Sequence, residues 1–178
     1  PAVEALAAGN RVMIKYSDYA PHSGRVFAKA IADTFSPEEF VVVEGGPEVA
    51  SEFSSLPFDH ILFTGSPSVG KLVQEAAAKN LTPVTLELGG KNPVVVSPDA
   101  DLIHAARAVA SARIANGGQV CLCPDYVFVP EDQVEQFVAE CSGFYRDSFP
   151  EYREDKSVTG IINDKNFERV LGLIDDAV

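Results

Sequence analysis

Three short apolar runs, each followed at once by a helix-like stretch, constrain this chain more than any other feature. Arg11-Val12-Met13-Ile14-Lys15 leads into a helical pattern entered through Ser17-Asp18 and Pro21, with Ala28, Ile31, Ala32 and Phe35 on one face. Phe40-Val41-Val42-Val43-Glu44 precedes the turn Gly45-Gly46-Pro47 and a short helix over residues 48–53. His60-Ile61-Leu62-Phe63-Thr64 precedes Gly65-Ser66-Pro67 and a helix over 68–79. Strands that alternate with helices through short connections imply a parallel sheet covered by helices, an α/β fold. The first run reads as a buried strand, and the β-branched run at 40–44 as a strand buried on both faces.

A fourth strand over 84–87 ends in Leu88-Gly89-Gly90, and a second alternating unit begins at Pro93-Val94-Val95-Val96. A helix over 101–115, a cysteine-bearing loop, a strand over 126–129 and a helix over 131–145 follow. A charged, Pro-containing linker then leads to a last helix. The paired glycines place a domain hinge at Leu88–Lys91, giving one domain over 1–87 and a second over 88–178. The fold expected is a Rossmann-like parallel sheet with helices on both faces, running into a second α/β domain. Both ends fall inside helical patterns, so the expectation is an internal piece of a longer chain.

Composition narrows the function. A formal net charge of −12 argues against nucleic acid, whose recognition depends on clustered Lys and Arg. No run approaches the length of a membrane span. Three cysteines, at 121, 123 and 141, make no even framework, so reduced thiols in the cytoplasm are expected. Cys121-x-Cys123 lacks the companion ligands of a zinc site, and no metal is expected. His22, His60 and His104 are scattered and read as structural or surface residues.

Three places could carry chemistry. The loop Asn116-Gly117-Gly118-Gln119-Val120-Cys121 sets a thiol among small and polar residues between two rigid elements, where it could act as a nucleophile. The alternative is a small buried hydrophobe, the commonest role of a free cysteine. Gly65-Ser66-Pro67-Ser68-Val69-Gly70-Lys71 opens a helix, and a helix N-terminus favours an anion such as a pyrophosphate. Its spacing fits the start of a P-loop, but Leu72 stands where Ser or Thr would hold magnesium. A plain strand-to-helix turn stays open beside a binding turn. Glu87 ends a strand on the edge where parallel sheets bind ligands. Burial there would raise its pKa and suit it to activate water. The other reading is a carboxylate satisfied by Lys91 or by the glycine N–H groups.

Taken in order, Gly65-Ser66, Leu86-Glu87-Leu88-Gly89-Gly90-Lys91 and Gly118-Gln119-Val120-Cys121 resemble the motifs of the NAD(P)-dependent aldehyde dehydrogenases. Lys15-Tyr16-Ser17-Asp18 resembles that family's Lys-Pro-Ser-Glu cofactor motif, with Tyr16 and Asp18 as departures. The surroundings, including Leu81-Thr82-Pro83 and Cys123-Pro124-Asp125-Tyr126, are most similar to the class 3 and coniferyl aldehyde dehydrogenase branch.

The resemblance implies that Cys121 attacks an aldehyde, aromatic or medium-chain, to give a thiohemiacetal and then a thioester. Glu87 then activates the water that releases the acid. It implies that Lys15 and Asp18 hold the adenine ribose, Ser66 after Gly65 the pyrophosphate, and Val69 the adenine, with Leu88 and Gly89 near the nicotinamide. An acidic Asp18 disfavours a 2′-phosphate, so NAD is expected ahead of NADP. The family's oxyanion asparagine would precede Pro1 and its second cofactor segment would follow Val178. These 178 residues alone are therefore expected to be weakly active or inactive, within a parent that is a homodimer or homotetramer. Two rivals remain: a nucleotide-binding module without thiol chemistry, and a P-loop-like nucleotide triphosphatase.

Overall fold

A computed structural model describes residues 1–178. The fold is α/β, and it divides into two compact units, Pro1–Glu87 and Leu88–Val178. In the first unit helix α1 (Ala2–Ala7) closes at Gly9, whose φ of +82° is a conformation glycine adopts freely. Strand β1 (Val12–Lys15) lies parallel to β2 (Phe40–Val43), with helix α2 (Pro21–Ala32) between them in sequence. Helix α3 (Pro47–Ser54) leads to β3 (Ile61–Gly65), helix α4 (Pro67–Ala78) and β4 (Val84–Leu88), and β3 pairs with β4.

Rather than one continuous sheet, the strands form two-stranded ladders, and this changes their burial. Of the β-branched run only Phe40 is buried, and β1 is half-buried at best, with Met13 exposed. A parallel strand is fully buried only when neighbours and helices cover it on every side, and here each strand has one hydrogen-bonded neighbour. Two local cores result. Phe40 is packed by the rings of Phe27 and Phe35. Ile61, Val73 and Ala77 form the other, under Phe58, Phe63 and Val84. Ser17 and Asp18 do not cap α2. The helix starts after Ala20 with Pro21 in its first turn, where a missing N–H leaves nothing unsatisfied.

In the second unit β5 (Asn92–Val95) lies parallel to β6 (Pro124–Phe128). The register slips between Asn92 and Pro93, so Asp125 is an extra residue, a bulge in β6. Helix α5 (Leu102–Ile114) is capped by Asp101, whose carboxylate accepts from the His104 N–H at 3.0 Å. Helix α6 (Val134–Ser148) follows a single 3-10 turn, and α7 (Asp164–Ala177) is capped by Asn163. Val96, Ala106 and Phe137 form the core, with Val94 and Val127 from the strands against it. Small residues at Ala106 and Ala110 let α5 and α6 approach closely. Cys141 and Tyr145 of α6 reach the carbonyls of Ala106 and Ala110 at 3.4 and 3.2 Å. No helix is long and apolar enough to cross a membrane.

Candidate active site

Helix α5 gives way to the thiol loop through an abrupt reversal. The helix ends at Ile114, and beyond Ala115 the residues Asn116, Gly117 and Gly118 have φ of +51°, +63° and +75°, three successive left-handed residues that reverse the chain. Gly117 is required twice over, because a Cβ there would also lie 2.7 Å from the Thr159 carbonyl oxygen. The chain then makes a tight turn in which the Cys123 N–H donates to the Val120 carbonyl at 3.1 Å. Cys121 and Leu122 are the two central residues of that turn, and both are exposed.

Side-chain amides pin the loop at both ends. The Gln119 Nε2 donates to the carbonyls of Asn116 (2.9 Å) and Gly160 (3.0 Å), and its Oε1 accepts from the Ile162 N–H (3.2 Å). Beyond the thiol, Asn92 Nδ2 donates to the carbonyls of Cys121 (2.8 Å) and Cys123 (3.0 Å). The Lys91 ammonium lies 3.4 Å from the bulged Asp125.

The three thiols therefore differ. Cys123 is buried, with its Sγ 3.4 Å from Arg113 Nη1 and facing the carbonyls of Ala112 and Arg113 at 3.6 and 3.8 Å. It packs the loop onto the end of α5. Cys141 lies against α5, and burial, reinforced by the Glu140 carboxylate, pushes its thiol pKa up. Only Cys121 stands exposed. The reading of this residue as a small buried hydrophobe is thus removed. No group of three or more His, Cys, Asp or Glu side chains is placed to hold a metal ion.

In the first unit a cleft of about 310 Å³ opens beyond β1, lined by Tyr16, Ser17, Asp18, Pro21, Gly24, Arg25, Glu44 and Gly45. Asp18 lines it, and its carboxylate is 3.7 Å from the Lys15 ammonium, whose side chain is only 12% exposed. The two residues are brought together. Gly24 and Arg25 escaped the sequence reading, and Tyr16 figures there only as a departure from the cofactor motif. A Cβ on Gly24 would come 2.9 Å from the Tyr16 ring, so the glycine lets that ring lie against α2.

The turn after β3 is simpler than its glycines suggest. Helix α4 begins at Pro67, so Pro67 to Lys71 are helical and no loop exists to cradle a triphosphate. Gly70 is buried on the same face as Val73 and Ala77, so it packs the helix against its core. At Gly65 the place of a Cβ is occupied by the Phe63 ring, 2.5 Å away. Ser66 is the N-cap, its Oγ accepting from the Val69 N–H at 3.3 Å. Val69 is 44% exposed on the first turn.

At the end of β4, Glu87 is exposed, contrary to the burial expected there. Alternation along the strand turns Leu86 and Leu88 to the half-buried side and leaves Glu87 on the open side. Lys91 pairs with Asp125 instead of Glu87. Gly89 has open space where a side chain would stand.

A sequence profile described as "Aldehyde dehydrogenase family" matches residues 1–178. The chain is 48% identical over 177 residues to a protein named probable coniferyl aldehyde dehydrogenase from Pseudomonas aeruginosa, covering 99% of this chain and 37% of that one. Among solved structures it superposes on a substrate-bound Staphylococcus aureus AldH with a TM-score of 0.87 at 37% identity, covering 96% and 38% of the two chains. A Mycobacterium tuberculosis aldehyde dehydrogenase complexed with NAD+ gives a TM-score of 0.81 at 31% identity, covering 96% and 36%. The chain thus spans well under half the length of each protein it matches.

Proposed function

Because this chain belongs to the aldehyde dehydrogenase family, we propose that it serves the oxidation of an aldehyde to the carboxylic acid with NAD, Cys121 being the nucleophile. The observation that carries the reading is the exposed thiol at the tip of a turn pinned on either side by Gln119 and Asn92. A nucleophile held by rigid supports meets an electrophile at a defined distance, which is a large part of the rate enhancement such a site can supply.

Cys121 Sγ adds to the carbonyl carbon, and the Cys121 backbone N–H helps to hold the oxygen of the resulting thiohemiacetal. When bound, the nicotinamide supplies the acceptor for the hydride that leaves this carbon. Cys121 then carries the acyl group as a thioester. Glu87 takes a proton from the water that releases the acid, and its position at a strand end with an open side suits access to water. The 1–87 segment supplies the cofactor side and the 88–178 segment the thiol.

The residues of the first unit fit a dinucleotide. The cleft offers the Asp18 carboxylate for ribose hydroxyls, with the Lys15 ammonium 3.7 Å behind it. Gly65 and Ser66 present the start of a helix to the pyrophosphate, with Val69 exposed for the adenine. Leu88 and Gly89 are assigned to the nicotinamide, Gly89 leaving space for it. Asp18 at the cleft repels a 2′-phosphate, which favours NAD over NADP. The relative named for coniferyl aldehyde supports an aromatic or medium-chain substrate. The working protein is assigned as a homodimer or homotetramer, and its three free thiols suit the cytoplasm.

Peptide-mapped alkylation tests the reading. Cys121 should react faster than Cys123 and Cys141, NAD should change its rate, and an aromatic aldehyde should protect it. Wherever NAD-dependent aldehyde oxidation is measurable, in this chain or in a longer one that contains it, Cys121→Ser should lower it by about a thousand-fold or more. Equal reactivity of all three thiols, unaffected by NAD, would sink the proposal and favour a nucleotide-binding module without thiol chemistry.

A further inference from the structure

We propose that Asn92 is the positioning residue of the thiol loop: through its side-chain amide it fixes the peptide unit that follows Cys121 and the one that leaves the turn after Cys123. This rests on the reading of Cys121 as the nucleophile. The Asn92 amide nitrogen has two hydrogens, and both are used, one on the Cys121 carbonyl at 2.8 Å and one on the Cys123 carbonyl at 3.0 Å. Those carbonyls belong to alternate residues of one turn, the turn closed by the Cys123 N–H on the Val120 carbonyl. Neither peptide can rotate without breaking a bond to Asn92. The direction of the Cys121 Cα–Cβ bond, and so of the thiol, is held with them.

The surroundings of Asn92 show how its side chain is kept in place. It is the first residue of β5, so its backbone is fixed by pairing with Pro124. The register slip lies immediately after it, and the bulge lets the strand bend where the loop arrives. Lys91 holds the bulged Asp125 at 3.4 Å on the neighbouring position. Gly90 has a reason to be glycine here. A Cβ on it would lie 2.9 Å from Asn92 Oδ1 and 3.4 Å from the Cys121 carbonyl oxygen. The clamp thus needs an amide at 92 and no side chain at 90.

The test uses the full chain and Asn92→Asp, which keeps the shape of the side chain and removes both donors. Exchange of the Cys123 amide, which closes the turn, should quicken by about five-fold or more for the lost bonds. Cys121 alkylation followed across a pH series should change its plateau rate, while that of Cys141 does not. Unchanged exchange would overturn the clamp. Faster exchange with an unaltered Cys121 profile would overturn the positioning role and leave Asn92 a loop staple only.

If Asn92→Asp does not fold, Asn92→Ser and Gly90→Ala are read in the same way. The first leaves a single shorter donor and the second crowds the intact one. The unaltered chain keeps the two readings apart: Cys121 alkylating there no faster than Cys141 would defeat the nucleophile reading, whereas the clamp stands or falls on the exchange.

Discussion

The turn after β3 and the loop after α5 are both short, small-residue connections, yet they are held in different ways. Ser66 satisfies its turn from within, bonding the Val69 N–H at 3.3 Å and meeting the Ser68 hydroxyl at 3.0 Å. The thiol loop depends on remote partners. Gln119 bonds the backbone at Gly160 and Ile162, and Asn92 reaches forward to Cys121 and Cys123. A locally capped helix start survives wherever its helix survives. A loop pinned by distant segments exists only when those segments are in place, which suits a thiol whose direction matters.

This contrast can be broken most sharply at Gly117. Gly117→Val forces a branched side chain into a left-handed conformation and against the Thr159 carbonyl at 2.7 Å, so a loss of about 3 kcal/mol in denaturant unfolding is expected. A loss under half of that would mean that the segment at 159 yields easily. Next comes Gln119→Ala, which removes the bonds to Asn116, Gly160 and Ile162 and should lower stability by about 2 kcal/mol. Proteolysis should then cut the linker before α7 first, and an unchanged cleavage pattern would show that the link to 160–162 is weak.

Ser66→Ala removes only a local cap and should cost about 1 kcal/mol. Exchange rates in the thiol loop should not change with it. Coupled effects at both places would contradict the division into local and remote supports. The smallest effect is a difference between thiols. Burial and Glu140 raise the Cys141 pKa, so the thiolate is the disfavoured form and Cys141 should lag Cys121 in alkylation. The lag should narrow as pH rises towards the raised value. A lag that stays constant with pH would assign it to access alone.

Much of the fold follows from periodicity. The strand and helix alternation, the cap at Asp101 and the stop at Gly9 depend on residues a few positions apart, and each is where local chemistry puts it. The burial of the strands was misjudged, because a β-branched run reports a strand but not how many neighbours it acquires. The P-loop-like spacing, already weakened by Leu72, carries no phosphate loop. Gly70 serves helix packing, which spacing alone does not distinguish from phosphate binding.

Cys121, Glu87 and the residues proposed for the cofactor stand out in the sequence only as motifs in order along the chain. Asn92 does not stand out, since an asparagine at a strand start has no local signature of a remote partner. Nor did the sequence reading assign Cys123 to the end of α5 or foresee that Glu87 would be exposed. By itself the sequence determined which elements form and where they stop, since hydrophobic period, capping and turn chemistry act within a few residues. Tertiary structure alone decided which thiol is exposed, which amides hold it and which carboxylate faces open space. Those outcomes depend on contacts between residues far apart in the chain, whose partners only the packed fold selects.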